Sequence, residues 1–387
     1  MADLALSLDR VRRLVLAHGW NATAYQLLNP GLTYWFAPGD CAVVGYVAVR
    51  RLSGRPMWVV AGEPVCAEGY VAEASERFEA AAQAAGAGVC YFGADGRLRS
   101  VLAGRPDHSQ MTLGAQPVWN PARWDSILAE KSSLRAQRNR ARNKGVAVTV
   151  WPSARAPGSQ TEPHPALARL LAEWLASKRM PAMHFLVEPQ TLGRLLDRRV
   201  FVAEKVVAPK NVGEQTRLGG GGKPVGYLIL SPISARDGWL VEQIIQGRAA
   251  PNGTATLLLD AAMRMAAEAG SPYVTLGLSP LSRRAIETAP GVPHLDNPLW
   301  LQGLLGWVRA HGRRFYNFEG LETFKAKFVP DRWDAITAIT REPAPSVGTL
   351  YAIADAFAGP RSPIGLVGRA LARAVGDEAR MLRQRFE

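Results

Sequence analysis

Cysteine, acid and long apolar runs are what this 387-residue chain has least of. Three cysteines, Cys41, Cys66 and Cys90, are odd in number, far apart and without a CxxC pair. That excludes a disulfide frame and suits reduced thiols. Cys41 and Cys90 stand in apolar, strand-like runs and are expected to be buried as small hydrophobes. The six histidines form no HExxH or HxxxH spacing, so no metal is expected. No apolar stretch approaches the ~18 residues of a spanning helix; the best, Ala42 to Val49, stops at Arg50 and Arg51. The N-terminal stretch carries Asp3, Asp9, Arg10, Arg12 and Arg13 and no long apolar core, which argues against a secretory signal and for a cytoplasmic address. Acids number 33 against 46 lysines and arginines, a formal charge of +13. Such an excess favours a polyanion or an anionic membrane surface as partner.

What the chain does have is apolar residue, 48% of it, enough to fill substantial cores. At ~150 residues per domain the length suggests two, and an internal repeat agrees. VVGYVAV from Val43, a Ser53-Gly54 turn, MWVV, the loop AGEPV, a helical VAEASERFEAAAQAAG and VCYFGA read as strand, hairpin, strand, loop, helix, strand. PVGYLIL from Pro224, an Asp237-Gly238 turn, WLVEQIIQ, GRAAPNG, TATLLLDAAMRMAAEAG and YVTLGLS repeat that order. Val44-Gly45-Tyr46 recurs 181 positions on, and Ala85-Gly86 recurs 184 positions on. Near-constant offset implies duplicated domains: 1–150, a proline-rich linker 151–165, a second unit 166–340, and a basic tail 341–387. Asn252 is expected to cap the second repeat's helix and Ser132 to cap a helix over the basic segment that follows it. The Gly219–Gly222 run reads as a flexible hairpin connection.

This order is similar to the acyl-CoA N-acyltransferase (GNAT-like) fold, and the expectation is an α/β (α+β) protein with two tandem copies of it, mixed sheets flanked by helices. In that fold the loop before the helix offers bare backbone N–H groups to an anion. Here that loop is Gln246 to Gly253, where Gly247 and Gly253 would let a ligand approach the backbone and Gln246, Asn252 and Gly253 are candidate substrate contacts; the alternative is a plain capped loop.

Three segments together carry a more specific resemblance: Ser133-Leu134-Arg135 through Asn139-Arg140-Ala141-Arg142-Asn143-Lys144-Gly145-Val146, Ala250-Pro251-Asn252-Gly253, and Gly320 to Phe328 with Pro330 and Trp333. The sequence resembles the soluble catalytic domain of phosphatidylglycerol lysyltransferases and alanyl-phosphatidylglycerol synthases, the multiple peptide resistance factor family, over roughly residues 20–340. The resemblance implies transfer of an amino acid, of the lysine or alanine type, from aminoacyl-tRNA to phosphatidylglycerol or a related lipid, without a cofactor. It further implies a stand-alone relative, peripheral on the inner face of the cell membrane. Where typical lipid synthases have an acidic residue followed three places later by Arg, this chain has Glu242 and Ile245, with Gln246 the nearest polar group.

Aminoacyl transfer from an ester needs two anions held and an oxyanion stabilised. Guided by the family pattern, Lys325 and Lys327 fit those roles, the alternative being a solvated basic face at a helix end; on a helix, residues two apart diverge by about 200°, so at most one would point inward, while an extended segment would aim both the same way. Glu242 either holds the donor amine or merely alternates outward on its strand. Arg135, Arg138, Arg142 and Lys144 belong to a run from Lys131 to Lys144 with six bases and no acid. That run suits the phosphates of a tRNA acceptor stem or lipid headgroups, or is a solvated helix face. His184, between Met183 and Phe185, lies where the family has a substrate loop and reads as a packed histidine or a general base. The tail from Arg361 to Glu387 either docks on anionic lipid or closes the folded domain. No GxSxG elbow surrounds Ser279 or Ser282, so a hydrolase triad has no support. Two rival readings remain, a CoA-dependent N-acyltransferase and a degenerate transferase that binds nucleic acid or membrane without turnover. Oligomeric state is not legible.

Overall fold

Two antiparallel hairpins, one in each half, start the architecture. The structure, a computed structural model, describes residues 2–51, 53–151, 163–178, 182–206, 222–284, 297–311 and 316–359. After helix α1 (Ala2–His18) and strand β1 (Thr33–Phe36), the β-branched run of β2 (Ala42–Arg50) turns through Gly54 (φ +78°) into β3 (Pro56–Ala61). The two-residue β4 (Val65–Cys66) pairs with β2. Helix α2 (Val71–Ala84) buries Val71, Ala74, Phe78 and Ala82, the spacing of one helical face, and β5 (Gly88–Ala94) returns parallel to β3.

The second half repeats this. β9 (Lys223–Ile233) and β10 (Gly238–Gln246) are antiparallel, α7 (Thr254–Glu268) crosses over, and β11 (Tyr273–Thr275) runs parallel to β10. Both crossover helices end alike. Gly86 and Gly270 adopt φ of +69° and +71°, and the next residue's N–H reaches back to Ala82 O and Ala266 O at 2.9 Å. That left-handed cap is why glycine stands at both positions.

Between the repeats come α3 (Gly96–Leu102), β6 (Ser109–Trp119), α4 (Trp124–Glu130), α5 (Ser132–Asn143), β7 (Val146–Trp151), α6 (Pro165–Ala176) and β8 (Arg199–Lys205). After the second repeat come β12 (Ser279–Pro280), α8 (Leu299–His311), α9 (Phe318–Ala326), β13 (Arg332–Thr340) and α10 (Val347–Ala358). The halves exchange their last strands. β6 lies beside β11 of the second half, β13 lies beside β5 of the first, and β6 and β13 pair with each other. One sheet therefore runs β1-β2-β3-β5-β13-β6-β11-β10-β9-β8-β7, and neither half keeps a complete sheet without the other's strand.

Helices cover both faces. α2 and α3 pack on one face of the first half, while α1 and α10 pack on the other, with Val11, Val15, Ala352 and Ile353 against Met57, Cys90 and Phe92. In the second half α4, α5 and α7 cover one face and α6 the other. Residues 119–150, expected in the first unit, pack here: Trp119, Trp124, Leu134 and Val146 share a core with Leu257–Leu259, and β7 pairs with β8. The first stretch of the expected tail, α10, belongs to the first half's core; 360–387 lie outside the described residues, as do 152–162 of the linker and 207–221, which include most of the glycine run.

Three local expectations are corrected. Cys41 is exposed, because β2 begins one residue later and the Pro38–Asp40 turn carries the thiol outward; Cys66 and Cys90 are buried. Asn252 does not cap α7: the cap position is Gly253, left-handed at φ +98°, and the Thr254 N–H and hydroxyl both donate to Pro251 O. Ser132 does not cap α5, which starts from Lys131 without a side-chain cap.

Candidate active site

The two repeats differ where β10 and β3 meet their parallel partners. In the first half the β3–β5 ladder continues to its end, Ala61 opposite Phe92, and Gly62 N–H still donates to Phe92 O at 2.8 Å. A Cβ on Gly62 would lie 2.2 Å from the Thr23 hydroxyl, so that end is filled by Thr23 and Asn21. In the second half the β10–β11 ladder stops at Leu240 opposite Thr275, while β10 continues to Gln246 paired only with β9. A bulge at Glu242 marks the departure, and the chain after β11 swings away to pair β12 with β6. The second half thus has a split between parallel strands, and the first does not.

Lys325, in the last turn of α9, reaches across to the departing arm of that split. Its side chain is almost wholly buried, and Nζ donates to Gly277 O and Leu278 O, each at 2.8 Å. Burial lowers its pKa to about 7, since among the described residues no carboxylate pairs with it. Lys327, the cap residue at the end of α9, points elsewhere: Nζ donates to Gln137 Oε1 of α5 at 3.1 Å and lies over the rings of Phe324 and Phe328. Burial lowers its pKa too. The same Gln137 oxygen accepts from the Thr256 hydroxyl at 3.0 Å, so Lys327 ties α9 and α5 to the start of α7.

Glu242 is corrected as an open amine receptor. Its carboxylate is buried and filled by protein donors: Arg198 Nε at 2.8 Å, Arg198 Nη2 at 3.0 Å and the Ser231 hydroxyl. Arg198 is itself buried, stacks on Tyr25 and reaches Asn29. Ile245 packs under α6 with Leu170 and Tyr227.

The loop before α7 is also less open than expected. Arg248 N–H donates to Glu173 of α6 at 3.1 Å, and a Cβ on Gly247 would lie 2.9 Å from that carboxylate. Gly253 is pressed against α5, where a Cβ would fall 2.0 Å from Gln137 O. A carboxylate and a carbonyl oppose an anion there, so Gly247 and Gly253 serve close helix packing. Gln246 is half-buried at the end of β10, and Asn252 is exposed.

The arginines of α5 divide. Arg135 donates to the carbonyls of Leu128 and Ala129 and so caps α4. Arg138 and Arg142 approach the buried Asp260 of α7 at 3.6 and 3.5 Å, where Arg264 and the Trp124 indole N–H also converge at 3.1 and 3.0 Å. Arg264 is shared with Asp125 at 2.7 Å, so three guanidiniums face two carboxylates and one positive charge is left over; Arg142 and Arg264 line an open cavity of about 420 Å³ with Val146, Val148 and Leu257. Lys144 is exposed at the end of α5. His184 lies away from these groups: it hydrogen-bonds Glu188 at 2.8 Å, and Gly359 is packed on its ring.

Sequence reasoning missed Glu322 and its partners. Burial raises the Glu322 pKa, but hydrogen bonds from Ser282, Arg284 and Arg309 together outweigh it and hold the carboxylate below its ordinary range. Glu322 lies three residues before Lys325, hence on the same helical face, a spacing that would have flagged it. Ser279, set aside as a hydrolase nucleophile, is buried on β12, and its hydroxyl has no hydrogen-bond partner among the described residues.

The family of phosphatidylglycerol lysyltransferase C-terminal domains matches residues 12–338. The C-terminal domain of a protein named as a lysylphosphatidylglycerol synthetase from Agrobacterium fabrum superposes with a TM-score of 0.70 at 22% identity, covering 92% of this chain and 99% of that one. L-PGS from Bacillus licheniformis gives 0.66 at 16% identity over 94% and 95%. FemX gives 0.54 at 9% over 89% and 98%. No curated protein matches the chain. The fold is shared with these structures, and the extent of the family match assigns the chain: it belongs to the phosphatidylglycerol lysyltransferase C-terminal family.

Proposed function

We propose that this chain is an aminoacyltransferase that moves an amino acid, of the lysine or alanine type, from aminoacyl-tRNA to phosphatidylglycerol or a related lipid at the inner face of the membrane. The observation that carries this reading is Lys325, a buried amine with a pKa of about 7 on the edge of the second half's strand split. An aminoacyl ester is already activated, so the acceptor attacks directly. Its hydroxyl oxygen bonds to the carbonyl carbon, the bond from that carbon to the ribose oxygen breaks, and the hydroxyl proton ends on the ribose oxygen. Neutral Lys325, with its two N–H groups on Gly277 O and Leu278 O, keeps its lone pair for that proton and returns it to the leaving oxygen. A base with a pKa near working pH is best suited to both steps. The surplus positive charge around Asp260, beside an open cavity, supports tRNA phosphate contact there.

The closed loop before α7 favours this reading over a CoA-dependent one, because Glu173 and the Gln137 carbonyl would face a pyrophosphate. The test is transfer of radiolabel from a pool of charged tRNAs into a total lipid extract, with and without purified protein. Enzyme-dependent lipid label that disappears in Lys325→Met is expected. Unlabelled lipid beside fully charged tRNA overturns the reading.

A further inference from the structure

Helix α8 is apolar on the side that faces out. Its only charged side chain among residues 299–310 is Arg309. At about 100° per residue, Leu299, Trp300, Gly303, Trp307 and Ala310 fall within one arc of about 100°. All five are exposed, Leu299 by 85%, Trp300 by 43% and Trp307 by 61%. The opposite side is also apolar: Leu301 is fully buried in the first half's core and Leu305 packs against it. A surface helix ordinarily turns charge outward, and a contiguous outward apolar face marks an interaction site.

The charge at the rim says what covers this face. Arg283 is exposed, its Nη2 3.4 Å from where a Cβ on Gly306 would sit. Arg284 and Arg309 share the one carboxylate of Glu322, at 2.9 and 3.1 Å. Indoles on a helix with arginines beside them match the headgroup boundary of an anionic bilayer, where the rings sit at the polar edge and the guanidiniums meet phosphate. The helix is also tied to the strand split. Arg309 donates to Leu281 O as well as to Glu322, and Glu322 precedes Lys325 on α9 by one turn.

We propose that α8 is the membrane-contacting element of this protein, its Leu299, Trp300 and Trp307 face entering the interface of an anionic bilayer beside the site that holds Lys325. The inference rests on the reading that the acceptor is a lipid, and it supplies the surface from which that lipid is taken.

The test is co-sedimentation of the full chain with vesicles of phosphatidylcholine alone and of phosphatidylcholine mixed with phosphatidylglycerol, for wild type and for Trp300→Ser combined with Trp307→Ser. Circular dichroism checks that the fold survives in the variant. Binding to the mixed vesicles is expected to fall about tenfold or more in the variant, the effect of withdrawing two indoles from the interface. Transfer to a short-chain, water-soluble phosphatidylglycerol is expected to persist. Undiminished vesicle binding by the variant overturns the proposal. So does a wild type that dimerises through this face in sedimentation velocity and binds no vesicle. Wild type that binds vesicles through α8 yet labels no lipid leaves the α8 proposal standing while the transferase reading falls.

Discussion

Replacing Lys325 by methionine separates its cost from its use. Burial takes the amine from 10.5 to about 7, so the folded protein disfavours its charged form by about 5 kcal/mol as an upper bound. Below pH 7 both folded and unfolded chains carry the proton and the whole penalty stands. Between pH 7 and pH 10.5 only the unfolded chain carries it, so the wild type gains stability as pH rises through that window. Methionine fills the same space without charge and lacks that slope. It forfeits the bonds to Gly277 O and Leu278 O, each worth about 1 kcal/mol net. At pH 7 the variant should therefore be at least as stable as wild type, with the wild type overtaking towards pH 10. Its transfer rate should drop by about 10²–10⁴, the usual contribution of a positioned proton acceptor. In wild type, kcat should rise through about pH 7 as the amine deprotonates. Urea unfolding and transfer assays across that range read both quantities. A stability difference that stays flat with pH, or a variant with near wild-type kcat, refutes the reasoning.

Glu242→Gln should destabilise by about 3–5 kcal/mol, because it leaves the Arg198 guanidinium buried without its counter-charge. Glu242→Leu with Arg198→Met should recover part of that loss in thermal melts. Gly253→Ala should cost more than about 1 kcal/mol in chemical denaturation, since φ is +98° and the new methyl meets Gln137 O. Burial and the neighbouring Asp95 raise the pKa of Glu63 to about 7. Above its unfolded value of 4.5 the unfolded chain ionises first, so this group's contribution falls as pH rises from 4.5 to about 7. Glu63→Gln should therefore raise the melting temperature at pH 8 more than at pH 5. Arg142→Ala should weaken tRNA binding and lower the slope of log affinity against log salt by about 1 if the half-exposed guanidinium meets a phosphate. An unchanged slope places that charge wholly in the Asp260 cluster.

Local pattern made much of the fold legible. The strand, strand, helix, strand order of each half, and the glycines that end α2 and α7, follow from periodicity and from the left-handed cap, both properties of a few neighbouring residues. Lys325 and Lys327 stand in the Gly320–Phe328 motif, and the different partners they reach follow from the helical turn. The partners of Glu242 were not legible, because Arg198 is 44 positions away and nothing local distinguishes a strand carboxylate that is paired from one that waits for a ligand. The arginines of α5 show the same limit. Their spacing looks like a row for phosphates, but Asp260, which draws two of them in, lies more than a hundred residues on.

By itself the sequence determined the duplicated units and the absence of a disulfide frame, because these depend on composition and on contacts within a turn or a hairpin. Only the tertiary structure decided that the halves exchange β6 and β13, that the strands part in the second half alone, and that Lys325 is buried enough to titrate near neutrality. Each of those depends on which distant segments exclude water from which groups, and desolvation is a property of the packed whole.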